Sequence, residues 1–351
     1  MYKKILKPFL FLFDPEAVHI AFITFGKYAG SFSVGRFILS CAYGYKGKDI
    51  SKTVDGIYYK TPILLAAGFD YNGELTQTLP RIAFGGEETG SITAKPCAGN
   101  SKPRMTRLPN SQSILVNKGL RNNGVEAMIH RLQNIKRVKD FVIGVSIART
   151  NEKDASSVEV GIADYVFSLR KLVEANVGDY YTINISCPNS FGGESFTTPL
   201  LLEKLFIALD AVGAKKPVYV KMPISISDAD FSGLLKVLDI HSVQGVIIGN
   251  LQKDYSTIHP KDFHPTQYSG GLSGKPCENR SNALIALTKT QYKNRFTIIG
   301  CGGIFSYADA QKKIDAGADL LQLITGMIYE GPSLMKEICE GLAFAKKSEM
   351  K

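Results

Sequence analysis

From about residue 50 onward, short apolar runs alternate with longer stretches whose apolar positions recur at helical spacing. This alternation predicts eight strands, at residues 62–66, 87–91, 141–147, 181–185, 218–222, 245–248, 297–299 and 320–324. The longer stretches predict helices, among them 164–174, 200–212, 228–239, 280–290, 307–316 and 333–346. Eight strand-then-helix units favour an α/β fold of the TIM (β/α)8 barrel type over a doubly wound sheet.

The first 45 residues have a different pattern. Lys3 and Lys4 precede a Phe-rich apolar run at 9–13, and Asp-Pro-Glu at 14–16 predicts the start of a helix that ends near 26–28. No apolar run is long enough to cross a bilayer, and no small-residue cleavage site supports a signal peptide. We expect two short amphipathic helices that lie in a membrane interface, with packing on the barrel as the alternative. The predicted organisation is a helical extension at 1–45 and a barrel at 46–351.

Composition narrows the function classes. Of the 351 residues, 44% are hydrophobic and 21% are charged, as in ordinary soluble globular proteins. The net charge of +10 favours anionic partners, but the positive residues are scattered, so nucleic-acid binding is not expected. Six cysteines without a CxxC pair fit a reducing cytoplasm better than a disulfide framework or a zinc site.

Polar residues follow the predicted strands at the end where TIM barrels carry their active sites. Residues 67–70 follow the first strand, Ser146 lies near the end of the third, and 184–189 follow the fourth. Lys221 ends the fifth strand and Asn250 follows the sixth. We therefore expect the functional site at the carboxyl ends of the strands.

Residues 184–189, Asn-Ile-Ser-Cys-Pro-Asn, carry the most specific chemistry of the chain. The carboxamides of Asn184 and Asn189 can hold an imide or amide ring by paired donor and acceptor bonds. The thiol of Cys187 can take a proton if its pKa is lowered. The alternative is a strand end with a buried cysteine and an Asn-rich turn. Likewise, Lys221 can neutralise a developing anion or extend to water.

Three Gly-rich turns lie late in the chain, at 270–274, 300–303 and 325–326. Backbone amides from the loops after the last two strands of a TIM barrel commonly hold a phosphate. Their order therefore predicts a phosphate site, with tight turns as the alternative.

Taken together, these motifs resemble the dihydroorotate dehydrogenase family, and within it the quinone-linked class 2 branch. The similarity runs over nearly the whole chain. It rests on 14–16 with His19, and on the segments 65–70, 99–104, 184–189, 270–276 and 298–304.

The resemblance implies a barrel that binds FMN, with N-terminal helices that meet the cytoplasmic side of the membrane and admit quinone. A base removes a proton alpha to a carbonyl of dihydroorotate, and a hydride leaves the adjacent carbon for flavin N5. Electrons then pass to quinone, and the product is orotate, an intermediate of pyrimidine biosynthesis.

Residue by residue, the resemblance makes Cys187 the base, and Asn184, Asn189 and Asn250 the residues that hold the pyrimidine ring. Lys221 would lie at the N1 and O2 side of the flavin, and His19 and Arg107 would lie along the quinone path. The implied flavin contacts are Ala67, Gly68, Ser91, Ser146, Asn184, Lys221, Gly249, Gly274, Gly302, Gly303, Ile324 and Thr325.

Two departures concern the substrate's charge. Tyr71 stands where the family has a lysine that meets both the flavin and the orotate carboxylate, and tyrosine lacks that charge. Val116 stands where the family has a substrate-binding asparagine. A compensated shift of one residue would put Asn117 in its place, and Lys118 would then supply the missing charge.

Other departures follow. Cys187 replaces the serine usual in class 2, Ser146 replaces an asparagine, and Ile324 replaces a tyrosine. Residues 249–251 keep only Asn250 of a Thr-Asn-Thr type triplet. The phosphate motifs are retained while the substrate side differs, so a related flavoenzyme acting on another carbonyl-flanked C–C bond is an alternative. Further alternatives are a catalytically idle barrel and a flavin-free isomerase or aldolase.

Overall fold

In the computed structural model, residues 2–153, 157–187, 196–262 and 270–349 are described. Their strands are β1 (Lys52–Val54), β2 (Ile57–Tyr59), β3 (Ile63–Leu65), β4 (Gly86–Ile92), β5 (Met105–Leu108), β6 (Ser113–Val116), β7 (Val142–Ile147), β8 (Tyr180–Asn184), β9 (Val218–Lys221), β10 (Gly245–Ile248), β11 (Gly271–Leu272), β12 (Thr297–Cys301) and β13 (Leu320–Leu323). Eight of them form a closed parallel barrel in the order β3-β4-β7-β8-β9-β10-β12-β13, and β13 pairs with β3. The predicted TIM barrel and its eight strands are confirmed.

Three of the described α-helices precede the barrel, and the others separate or follow its strands. The helices are α1 (Lys7–Leu10), α2 (Pro15–Ser31), α3 (Ser33–Tyr43), α4 (Gly124–Asn134), α5 (Val158–Glu174), α6 (Pro199–Asp210), α7 (Asp228–Asp239), α8 (Glu278–Tyr292), α9 (Tyr307–Asp315), α10 (Thr325–Glu330) and α11 (Leu334–Glu349). The outer helices bury one apolar face each, as Leu202, Leu205, Phe206 and Leu209 do in α6. Serine hydroxyls cap the starts of several, including Ser227 before α7 and Ser306 before α9.

The amino end of the barrel is closed by aromatic side chains. Tyr59, Tyr180 and Tyr219 are fully buried in one cluster with Leu64 and Ile247. The strands β1 and β2 form a hairpin at this end, and the Tyr219 hydroxyl donates to Asp55 within it at 2.7 Å. Because this end is filled, the carboxyl end of the barrel is left for a ligand site.

The N-terminal helices pack against the carboxyl end of the barrel. Asp14 caps α2 by accepting from the Ala17 amide at 2.8 Å, with Pro15 at the first helical position. The helix α2 continues to Ser31, beyond the predicted end near 26–28. Gly26 and Gly30 lie within the helix, and their lack of a side chain lets α2 approach Thr78 closely. The Thr78 hydroxyl donates to the Gly26 carbonyl at 2.6 Å.

The outer side of this helical segment is apolar. The exposed side chains include Ile5, Phe9, Leu12, Phe13, Phe25, Phe32, Val34 and Phe37. Among the described residues, no helix has both the length and the hydropathy needed to span a membrane.

The excursion between β4 and α4 forms an antiparallel sheet that the sequence did not predict. The strands β5 and β6 pair as a hairpin, and β11 joins β6 with Gly271 opposite Val116. The Tyr329 hydroxyl donates to the Ser113 carbonyl at 2.7 Å and so ties β6 to α10. This sheet carries Arg107 on β5 and leads directly into Lys118 after β6.

Candidate active site

One cavity of about 830 Å³ occupies the carboxyl end of the barrel and continues between α2 and α3. At the barrel mouth it is lined by Ala67, Gly68, Ser91, Asn184, Cys187, Lys221, Gly249 and Asn250. Between the helices it is lined by Val18, His19, Phe22, Phe25, Ile38 and Leu39. Polar groups at the mouth and an apolar passage between the helices therefore share one continuous cavity.

A hydrogen-bond network fixes the carboxamides at the mouth. The Asn184 amide donates to the Ser91 hydroxyl at 2.8 Å, and the Ser91 and Ser146 hydroxyls bond at 2.7 Å. The Asn250 amide donates to the Ser186 hydroxyl at 2.8 Å, and Ser186 donates to the Asn184 carboxamide oxygen at 3.2 Å. Ser146 does not line the cavity, and its contact with Ser91 orients the side chain that does. The sequence did not indicate that Ser186 belongs to this network.

Cys187 follows β8 by three positions and lines the cavity as a half-buried side chain. It lies on the same segment as Asn184, whose carbonyl accepts from the buried Tyr165 hydroxyl at 2.8 Å. That bond fixes the backbone where the strand ends. Asn189, predicted to share this site, lies outside the described residues.

Lys221 ends β9 directly opposite Asn184 on the neighbouring strand β8. Its side chain is 5% exposed and lines the cavity. Among the described residues, none accepts a hydrogen bond from its ammonium group. An ammonium group that faces the cavity can donate to a ligand that brings acceptor atoms.

The Gly-rich turns line the cavity on the side of β12 and β13. Gly274, Gly302 and Gly303 have φ angles of +78°, +100° and +76°. A Cβ at Gly303 would lie 2.4 Å from the Cβ of Glu278, so the backbone approaches too closely for a side chain. Thr325, the first residue of α10, donates to the Ser273 hydroxyl at 2.8 Å. Turns of this kind present backbone amides to a phosphate.

A cluster of four residues lies where the mouth meets the helical passage, and we call Lys118, His19, Phe69 and Tyr71 the Lys118 cluster. The His19 Nε2 lies 2.8 Å from the Phe69 carbonyl oxygen, and its Nδ1 lies 3.1 Å from the Lys118 Nζ. The Lys118 Nζ lies 4.8 Å from the centre of the Tyr71 ring. Burial and the neighbouring Lys118 charge lower the pKa of His19 to about 3, and burial lowers the pKa of Lys118 to about 7.

The two neighbours of Lys118 that the sequence singled out are placed differently. Val116 lines the cavity, whereas Asn117 does not, and its carboxamide oxygen accepts from Asn100 at 2.8 Å. The Tyr71 hydroxyl is buried and has no hydrogen-bond partner among the described residues. Of the two candidates for the missing polar contact, Lys118 is therefore the one in the cavity.

A buried ion pair joins α2 to the loop before β5. Glu16, in the first turn of α2, accepts from the Arg104 Nη2 at 2.6 Å and from the Arg121 Nη1 at 3.2 Å. Arg104 also donates to the carbonyls of Ala98 and Asn100. Sequence reasoning used Glu16 only as a motif residue, because nothing local points to a partner so distant in the chain. The pair fixes the start of the helix that carries His19.

Arg107, on β5, contacts the segment that precedes α2. Its Nη1 donates to the Phe13 carbonyl at 2.7 Å, and its guanidinium lies 4.7 Å from the centre of the Phe11 ring. Both Arg107 and Phe11 line the cavity. The other predicted flavin contacts, Ile324 and Thr325, line it beside Gly303. The polar side chains at the strand ends of this TIM barrel lie where enzymes of the (β/α)8-barrel class carry their active sites.

Comparisons with known proteins identify the family. The dihydroorotate dehydrogenase family model matches residues 49–345. A dihydroorotate dehydrogenase (quinone) from Christiangramia forsetii is 32% identical over 342 residues, which cover 96% of this chain and 97% of that one. One from Pasteurella multocida is 36% identical over 301 residues, covering 82% and 85%. The chain belongs to the dihydroorotate dehydrogenase family, a family of flavoenzymes.

A solved structure shows the same fold. The crystal structure of DHODH from Eimeria tenella in complex with ferulenol has a TM-score of 0.81 at 24% sequence identity. The match covers 96% of this chain and 92% of that chain, so it includes the helices that precede the barrel.

Proposed function

We propose that the protein oxidises (S)-dihydroorotate to orotate with FMN as its cofactor and a quinone as the electron acceptor. The observation that carries this proposal is the single cavity that joins Asn184, Cys187 and Lys221 to His19 and the apolar passage between α2 and α3. A polar substrate and an apolar acceptor both need access to one cofactor. The curated relatives bearing the name dihydroorotate dehydrogenase (quinone) support the same reaction.

The residues at the mouth supply binding and proton transfer. Asn184 and Asn250 are held by Ser91 and Ser186, so their carboxamides are oriented before a ring arrives. The Cys187 thiolate would take the proton alpha to the substrate carbonyl and hold it on Sγ. When bound, FMN would supply the hydride-accepting and electron-transferring chemistry.

The residues present fit FMN. The Lys221 ammonium, which no described residue satisfies, would donate to acceptor atoms at the N1 and O2 edge of the isoalloxazine ring and stabilise negative charge there. The turns at Gly274, Gly302 and Gly303, together with Thr325, would hold the phosphate through backbone amides and a hydroxyl. The left-handed φ angles of these glycines form turns of the kind whose backbone amides bind phosphate, and close contacts with Gln112, Cys277 and Glu278 leave no room for a side chain at these positions.

The N-terminal segment fits a peripheral position on the membrane. We propose that residues 1–45 form the unit that contacts the cytoplasmic face, with 46–351 as the FMN-binding barrel. Exposed aromatic and aliphatic side chains on α2, α3 and the segment before them would enter the interface, and Lys3, Lys4 and Lys7 would lie near lipid headgroups. Quinone would then enter between α2 and α3, past Arg107 and His19.

Anaerobic stopped-flow mixing with L-dihydroorotate tests the reaction. We expect rapid bleaching of the flavin, and Cys187→Ala should slow it by about 10²-fold or more, the scale typical of a general base. Cys187→Ser should retain part of the rate because a hydroxyl can still accept the proton when activated. The control is flavin content, which should match in all three proteins. Unchanged bleaching in Cys187→Ala would contradict the role of the thiol.

A second candidate is oxidation of a different carbonyl-flanked C–C bond by the same cofactor. The observation that favours it is that Tyr71 and Val116 line the cavity without supplying a charge or a carboxamide. A flavin that dithionite reduces but dihydroorotate does not would support this candidate. A purified protein without bound flavin would instead favour an idle barrel.

A further inference from the structure

Four cationic side chains line the described part of the cavity, namely Lys118, Lys221, Arg107 and Arg121. Arg121 donates to the Glu16 carboxylate, and Arg107 donates to the Phe13 carbonyl at the helical entrance. Lys221 lies at the end of β9, where the proposed flavin binds. Lys118 is therefore the cation left for an anionic substituent of the substrate.

The partners of Lys118 follow from hydrogen-bond chemistry. A carbonyl oxygen only accepts, so the Phe69 carbonyl at 2.8 Å requires a proton on His19 Nε2. In the neutral ring Nδ1 is then an acceptor, and it accepts from the Lys118 ammonium at 3.1 Å. A doubly protonated ring would place an N–H group against the ammonium. His19 is thus neutral and uses one of the three N–H groups of Lys118.

The surroundings of Lys118 leave its charge without a direct carboxylate partner. Its side chain is 7% exposed, and its described contacts are neutral: the imidazole of His19 and the face of the Tyr71 ring. The nearby Glu16 carboxylate is held by Arg104 and Arg121. A buried ammonium with neutral partners attracts an anion strongly, because it gains a charge-assisted bond without giving up an existing ion pair.

We propose that Lys118 binds the carboxylate of the substrate and that neutral His19 positions Lys118 for that contact. The inference rests on the proposed function, since it assigns the residue that recognises the charged group of dihydroorotate. Tyr71 contributes the aromatic face beneath the ammonium rather than a charge. His19 therefore acts on substrate affinity, in addition to lying on the path of the apolar acceptor. Substrate specificity depends on a cation from the loop after β6.

The experiment compares the holoenzyme and its variants with two probes, L-dihydroorotate and its uncharged methyl ester, by the concentration dependence and the limiting rate of flavin bleaching. Lys118→Met should raise the apparent Kd for dihydroorotate by about 10- to 100-fold, the worth of a hydrogen bond to a charged group, and leave that for the ester unchanged. His19→Phe should raise the Kd for dihydroorotate by about 5-fold. His19→Gln should keep most of the wild-type affinity, because its amide oxygen can still accept from Lys118. The matched control is Lys102→Met, an exposed lysine that does not line the cavity.

Moving the positive charge from position 118 to position 71 provides an independent test. Combining Tyr71→Lys with Lys118→Met should recover dihydroorotate affinity, because the cation returns to the same part of the cavity from β3's loop. Two results would overturn the assignment of Lys118 while leaving the proposed function intact. One is that dihydroorotate bleaches Lys118→Met with the wild-type Kd, and the other is that this variant loses affinity equally for dihydroorotate and for the methyl ester. Wild-type enzyme that dihydroorotate does not bleach would overturn the proposed function and this inference together.

Discussion

Lys118→Met should make the protein more stable and remove a component of its pH dependence. Lys118 carries its charge inside the cavity against neutral partners, and burial lowers its pKa from the ordinary value of 10.5 to about 7. Glu16 opposes this fall in pKa, whereas Arg104 and Arg121 add to it. Methionine has a similar length and no charge, so the substitution removes the cost of burying the ammonium.

The magnitude follows from linkage. Each pKa unit corresponds to about 1.4 kcal/mol, so the fall to about 7 costs the folded state about 4 kcal/mol at pH 7. Methionine leaves the His19 Nδ1 without its donor, which costs about 1 kcal/mol. The net gain in unfolding free energy is then about 3 kcal/mol. Between about pH 7 and pH 10 the unfolded chain binds more protons than the folded one at Lys118, so wild-type stability rises relative to the variant by up to about 1.4 kcal/mol per pH unit.

Urea unfolding of both holoenzymes, followed by circular dichroism at several pH values, measures this difference. Subtracting the two curves cancels every group that titrates alike in both proteins. Lys102→Met, which removes an exposed charge beside the same Glu16, should stay parallel to wild type. Parallel curves for wild type and Lys118→Met, or a loss of stability at pH 7, would refute the argument that Lys118 is an unpaired buried cation.

Three other substitutions test separate parts of the structure. Gly303→Ala should lower the flavin content and reduce the unfolding free energy by about 1–3 kcal/mol, because alanine there would have both a left-handed φ and a close contact. The control is Gly213→Ala, at φ +69° with open space around it, where only the backbone conformation is unfavourable. Equal effects of the two substitutions on flavin binding would contradict the phosphate role. Arg104→Met should cost about 3–5 kcal/mol in urea unfolding, because it removes the buried partner of the Glu16 carboxylate and leaves the more exposed Arg121. A change below about 1 kcal/mol would show that the pair is dispensable. Phe37→Glu on the exposed face of α3 should weaken sedimentation with anionic lipid vesicles while flavin reduction by dihydroorotate is retained, and unchanged vesicle binding would contradict the membrane proposal.

Local pattern was enough to predict the barrel. Seven of the eight barrel strands are short, mainly apolar and largely buried runs, and the apolar positions of the helices between them recur about every 3.6 residues, so these elements can be predicted without knowledge of the rest of the chain. The exception is β4, which is buried although most of its residues are polar or glycine. The position of Lys221 and Asn184 at the carboxyl ends of β9 and β8 follows from the same pattern and one rule about parallel barrels. The end of α2 could not be predicted locally. Gly26 suggests the end of a helix in the sequence, but in the structure it lies within α2 and contacts Thr78.

The contacts that set the substrate side were beyond local pattern. The bond between His19 and Lys118 joins residues 99 positions apart, and the pair of Glu16 and Arg104 joins residues 88 apart. No periodicity encodes such pairs. The sheet formed by β5, β6 and β11 was missed because its strands are four residues or shorter and lie among glycine and proline. The sequence therefore predicted which groups lie at the barrel mouth, whereas the neighbours of each group follow only from the three-dimensional structure.

The aromatic filling at the amino end of the barrel determines how molecules are exchanged. Because Tyr59, Tyr180 and Tyr219 close that end, exchange through the described part of the structure takes place at the end that carries Cys187. There the wall formed by the loop after β6 is cationic, and the wall formed by α2 and α3 is aliphatic and aromatic. In the proposed reaction, a substrate that carries a carboxylate and an apolar electron acceptor would therefore be sorted by the polarity of these two walls within one cavity.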